Sequence, residues 1–145
     1  MADEQAFPQS IKKLCSEVHL GDFLFLQGHP CQVIRISQYR YLGTDFFTKQ
    51  LHEESSFMPK SESEQTILAI DFKAWSILDL SDGYATAMDE KSDVKMGVPV
   101  IDAGNLWTRM QKAFESGRGS LKGLVFYHDD KPFILEMKVE YGEES

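Results

Sequence analysis

Residues 101–120 read IDAGNLWTRMQKAFESGRGS, and here the spacing of apolar residues becomes helical. Leu106, Met110, Ala113 and Phe114 fall on one face of a 3.6-residue repeat, which predicts an amphipathic helix. Asp102 or Asn105 is available as its N-cap, since a short polar side chain accepts from the unpaired N–H groups of the first turn. Gly117 supplies the stop, because glycine takes the left-handed conformation at a helix end without steric cost. Upstream, Trp75 to Leu80, the turn Ser81-Asp82-Gly83, Tyr84 to Met88, the polar turn Asp89 to Ser92 and Val94 to Met96 follow a hairpin rhythm. Downstream, His128-Asp129-Asp130-Lys131-Pro132 joins two further strands, Leu121 to Tyr127 and Phe133 to Tyr141. A helix between the third and fourth of five strands is the order of an oligonucleotide/oligosaccharide-binding (OB) barrel. Residues 73–145 are therefore expected to form an OB-fold-like domain with one α-helix in a mainly β chain.

The first half is also β-rich. Phe23 to Leu26 and Cys31 to Ile36 flank Gln27-Gly28-His29-Pro30, which reads as strand, turn, strand. Tyr39 to Phe47 and Lys49 to His52 continue the pattern, and Gly43 marks a bulge or a close backbone approach. Ser55 to Glu64 is polar and contains Pro59, as expected of an exposed loop before the strand Thr66 to Ile70. The expected division is a polar N-terminal arm over residues 1–17 and a small barrel over residues 18–72.

The chain has 145 residues, 42% hydrophobic and 26% charged, so a packed globular protein is expected. It has no apolar run approaching the roughly 20 residues that cross a bilayer. MADEQAFPQS lacks the basic and apolar regions of a secretory signal, so an intracellular location is expected. A formal net charge of -8 and a pI near 4.9 repel polyphosphate, and Lys12-Lys13 is the sole adjacent basic pair. No DNA partner is expected, and RNA binding has little support. Two cysteines, Cys15 and Cys31, are too few for a disulfide framework, so reduced packing residues are expected.

Four blocks carry a more specific signal: HLGDFLFLQGHPCQVIRIS (residues 19–37), YLGTDFFTKQLHEESSF (41–57), DLSDGYATAMDEKSDVKMGVPVID (79–102) and LWTRMQKAFESGRGS (106–120). Together they closely resemble the Woronin body major proteins of filamentous fungi, and the likeness runs from about Val18 to Tyr141. The resemblance implies an SH3-like barrel followed by the OB-like one. It also implies a non-enzymatic function in which the chain is its own partner. Heterologous contacts that do not close generate an open lattice, and the resemblance implies that this lattice is a dense particle that plugs the septal pore.

A more distant resemblance is to the hypusine-containing translation elongation factor, which presents a modified lysine on a long loop of its first barrel. In this chain Ser37-Gln38-Tyr39-Arg40-Tyr41 runs from strand to strand and holds no lysine, so a translation role is not expected. The Woronin body family is peroxisome-derived and ends in a Ser-Arg-Leu type import tripeptide. This chain ends Gly142-Glu143-Glu144-Ser145, and a cytoplasmic location is expected from that ending.

A second reading makes the chain a paralogue repurposed as a small-molecule enzyme or binder, of isomerase or cyclase type, in fungal secondary metabolism. Its catalytic candidates are His52 with Glu54, which share a strand face while Glu53 points away, and His128 with Asp129. Its ligand-binding candidates are Tyr39, Arg40 and Tyr41 beside the shortened loop, and Trp75. Each has a plainer explanation: a solvated strand end, a hairpin turn, an edge strand and a core residue. Neither Cys15 nor Cys31 has an activating neighbour in sequence. Cys-x-x-Cys and His-x-x-x-His spacings are absent, so no metal site is expected, and no cofactor is implied. Gly117-Arg118-Gly119-Ser120 follows a helix and does not open one, which removes it as a phosphate loop. Trp107 flanks the helical stripe as a core or interface residue.

Overall fold

The structure is a computed structural model in which residues 9–59 and 64–141 are described. The chain divides into two compact units between Asp71 and Phe72.

The first unit contains β1 (Ser10–Leu14), a 3-10 turn (Cys15–Glu17), β2 (Phe23–Leu26), β3 (His29–Ile36), β4 (Arg40–Asp45), β5 (Leu51–Ser55) and β6 (Thr66–Ile70). They form one antiparallel sheet in the order β1-β6-β2-β3-β4-β5, the SH3-like part of the chain. Gln27 and Gly28 join β2 to β3 with φ of 51° and 83°. Two successive positive φ values are those of a type I′ turn, whose twist matches that of the flanking strands. Val18, Leu24, Leu26, Cys31, Val33 and Tyr41 fill the core.

Two expectations for this half change. Residues 10–14 are not a free arm, because β1 pairs along its length with β6, from Ser10 opposite Ile70 to Leu14 opposite Thr66. The polar segment SIKKL disguises a strand at the sheet edge, where lysines are favoured because they discourage pairing with other chains. Lys13 Nζ lies 2.8 Å from Asp22 Oδ2, tying this strand to the turn before β2. The strand expected over Tyr39 to Phe47 ends at Asp45, whose Oδ1 accepts hydrogen bonds from the backbone N–H groups of Phe47 (2.7 Å) and Thr48 (3.0 Å). That Asx-type turn supplies the backbone with partners other than a strand ladder.

Gly43 has the close approach read from the sequence. A Cβ there would lie 2.8 Å from Leu26 Cδ1, 2.9 Å from the Gln32 carbonyl oxygen and 3.0 Å from Cys31 Cβ. The bulge belongs to the partner strand, where the pairing steps from Val33–Gly43 to Arg35–Leu42 and passes over Ile34.

The second unit contains β7 (Lys73–Ser81), β8 (Tyr84–Met88), β9 (Val94–Pro99), α1 (Leu106–Ser116), β10 (Ser120–His128) and β11 (Lys131–Glu140). Its sheet runs β11-β10-β7-β8-β9, and a parallel bridge from Val100 to Ile134 links the two ends. With α1 between its third and fourth strands, this is the OB topology. Asp82-Gly83 (φ 53° and 85°) and Asp129-Asp130 (φ 53° and 65°) make two-residue turns of the same primed type. The helix buries Leu106 and Met110 and ends on Gly117 at φ 63°. Asn105 occupies the N-cap position without a side-chain bond, and Asp102 Oδ1 accepts from Trp107 N at 3.0 Å in its place. Trp75, 1% exposed, is among the largest core side chains; its Nε1 donates to Glu90 Oε1 at 3.1 Å and its ring meets Tyr127 edge-on.

Among the described residues no helix is long and apolar enough to cross a membrane. Gly142 to Ser145, on which the reading of the import tripeptide rests, lie outside the described residues.

Candidate functional site

The two pairs of catalytic candidates are held differently. His52 and Glu54 share a face of β5, but Glu54 Oε1 accepts from Gln27 N at 2.7 Å, fixing the β2–β3 turn. His128 Nε2 lies 3.6 Å from Asp129 Oδ2, and Asp129 is solvated in its left-handed turn position. The ligand-binding candidates are separated by strand alternation. Arg40 points outward, with Nη1 3.6 Å from Glu53 Oε2, and Tyr39 is exposed beside the turn. Tyr41 points inward, 1% exposed, and its hydroxyl donates to the Cys15 carbonyl at 3.3 Å. Burial first, and then that bond, raise its pKa. Tyr41 and Trp75 are thus core residues of different units.

The side chain that finds an unforeseen partner is His52. Pairing of Cys31 with Asp45 and of Gly43 with His52 aligns one face of β3, β4 and β5. His29 shares the Cys31 face because side chains two apart along a strand point the same way. The His29 and His52 rings stack with centroids 3.8 Å apart and planes 7° from parallel. Beneath them Asp45, 3% exposed, places Oδ2 3.5 Å from His29 Nδ1. That is longer than a made N–H···O bond. His52 Nε2 is buried without a hydrogen-bond partner. A buried polar atom left unsatisfied costs about 1–3 kcal/mol.

The three residues each offer one metal-ligating atom, and these atoms all lie within 4.8 Å of one another. Sequence spacing pointed to no metal site; strand pairing gathers these three possible donors, which no short window contains. Across from His52, Gly43 contributes no side chain to crowd the cluster.

Cys15 and Cys31 are both buried thiols, as expected. Burial first, and then the charge of Asp45, push the Cys31 thiol up to about 12. Thiolate is the reactive form, and burial also blocks access. We expect neither cysteine to react with Ellman's reagent within minutes near neutral pH in the native chain, and both to react once guanidinium unfolds it. Fast stoichiometric labelling of the native chain would contradict this placement.

Comparison with known proteins adds what the geometry does not name. No family model matches the chain. It is 51% identical over 143 residues to the Woronin body major protein of Neurospora crassa, covering 92% of this chain and 81% of that one. It is 44% identical over 144 residues to the Woronin body major protein hexA of Aspergillus fumigatus, again covering 92% of this chain but only 27% of that longer protein. Among solved structures, translation initiation factor 5A from Methanococcus jannaschii matches with a TM-score of 0.51 at 14% identity, covering 91% of this chain and 97% of that one. At that identity the likeness speaks for the two-part fold alone. Half of the aligned positions shared across four fifths of the Neurospora protein is a relation of the whole sequence: the chain belongs to the Woronin body major protein family.

Proposed function

We propose that this chain is a self-assembling structural protein, whose copies join through repeating, non-closing contacts into a dense particle of the kind that plugs septal pores. The observation that carries the reading is the 51% identity to the Neurospora crassa Woronin body major protein over 81% of that protein's length. A major protein of a dense body is its building block, a role that calls for stable shape and surface contacts and for no catalytic group. Two β units with separate cores suit that role.

Open-ended growth needs at least two different surfaces per copy. Leu20 and Ile34 border a groove of about 420 Å³ on the first unit, and Val94 and Met96 border one of about 510 Å³ on the second. Leu20 is 65% exposed and Met96 80%, apolar area that contact between copies would remove from water. The occupant we assign to these surfaces is a further copy of this chain.

The net charge of -8 opposes that contact, since every copy repels every other. Salt screens the repulsion, with a Debye length of about 10 Å at 0.1 M. Static light scattering should therefore show a mass that rises with protein concentration and rises further on going from low to moderate salt. A mass that levels off at a small closed oligomer at every salt concentration would remove the open lattice.

A further inference from the structure

We propose that His29, Asp45 and His52 form a binding site for a divalent first-row transition metal ion, with zinc as the best-suited ion. The donor set is two imidazole nitrogens and one carboxylate oxygen, a combination that suits zinc and its neighbours and suits neither calcium nor magnesium. Three protein donors leave a fourth position for water on the solvent side, where the His29 side chain is about half exposed.

Several features go beyond mere proximity. The donor atoms lie within 4.8 Å of one another. A tetrahedral centre with bonds of about 2.1 Å spaces its donors about 3.4 Å apart, so metal binding would rotate the imidazoles out of their parallel stack to close the set. His52 Nε2 is buried with no partner, and a metal would satisfy it. Asp45 is a buried carboxylate whose Oδ1 is held by the backbone N–H groups of Phe47 and Thr48. Oδ2 is thereby aimed at His29, and carboxylates that ligate metals are commonly oriented in this way. The His29 and His52 rings already lie against each other, and tilting one out of the parallel stack turns its in-plane lone pair toward the ion held by the other.

The test is calorimetric titration of the untagged full chain with Zn²⁺ alone, at a protein concentration and salt where it stays dissolved. Cobalt substitution is followed in parallel by visible absorption. The expected result is saturable binding of one ion per chain and a cobalt spectrum of low coordination number. His29→Ala removes a half-exposed side chain and leaves the core untouched, so it serves as the variant that folds; His52→Ala and Asp45→Asn follow with circular dichroism to check their fold. Each should weaken binding by at least about tenfold, while His19→Ala and His128→Ala should leave it unchanged. Absence of saturable one-to-one binding, or binding that His29→Ala leaves intact, overturns the site. Weak multi-ion uptake reduced equally by every histidine replacement also overturns it.

Discussion

Replacing Trp75 with alanine is expected to lower the stability of the second unit by about 3–5 kcal/mol, the range for deleting a large aromatic side chain from a core. Trp75 is 1% exposed and packs among Ile77, Ala85, Ala87, Leu106, Met110 and Val125. These neighbours come from several strands and the helix, so they cannot collapse together to fill the space. The hydrogen bond from Trp75 Nε1 to Glu90 is lost as well, although the half-exposed Glu90 carboxylate recovers water and adds little. At roughly 0.05–0.15 kcal/mol per residue, a unit of this size holds about 4–11 kcal/mol. The deletion therefore removes much of what keeps it folded. The check is urea unfolding followed by the amide resonances of residues 72–141, where a midpoint equal to that of the parent chain would refute the packing described.

Gly43→Val is expected to destabilise the first unit by about 1–3 kcal/mol. The sign is the informative part. Valine is a better strand former than glycine, and on propensity alone the change would stabilise β4. Steric conflict decides the other way, because the new Cβ would sit 2.9 Å from the Gln32 carbonyl oxygen and 2.8 Å from Leu26 Cδ1. A leucine methyl can move, but the carbonyl is part of the backbone of β3, where Gln32 pairs with Thr44. Relief therefore requires a backbone shift. A urea midpoint equal to or above that of the parent chain would contradict the close approach.

Much of the fold was legible because local and global signals agree. Asp82-Gly83 and Gln27-Gly28 are turns for the reason their residues suggest, and Gly117 ends the helix at φ 63°. The helical stripe reads correctly at Leu106 and Met110, while Phe114 remains partly exposed at the outer edge of the stripe. What escaped is what depends on pairing between distant segments. SIKKL carries no alternation strong enough to announce a strand, and its pairing with β6 is set more than fifty residues away. The inward turn of Tyr41 follows from register with Ile36 and Glu54, which spacing from the shortened loop does not reveal.

The histidine cluster illustrates the same limit. In sequence His52 belongs with Glu54, but in the sheet its ring meets His29 and each lies near Asp45. The registers that bring the three together are set by the turn between Ile36 and Arg40, by the bulge at Ile34 and by the turn from Asp45 to Lys49. Short-window motif spacing does not reveal them.

The relation to Woronin body major proteins makes assembly the property on which the functional account stands. Sedimentation velocity of the untagged chain, from micromolar to near-millimolar concentration at moderate salt, addresses it directly. The account predicts a distribution that keeps broadening toward heavier species as concentration rises, without settling on one stoichiometry. A single boundary of the 16.5 kDa chain across the whole range would contradict it.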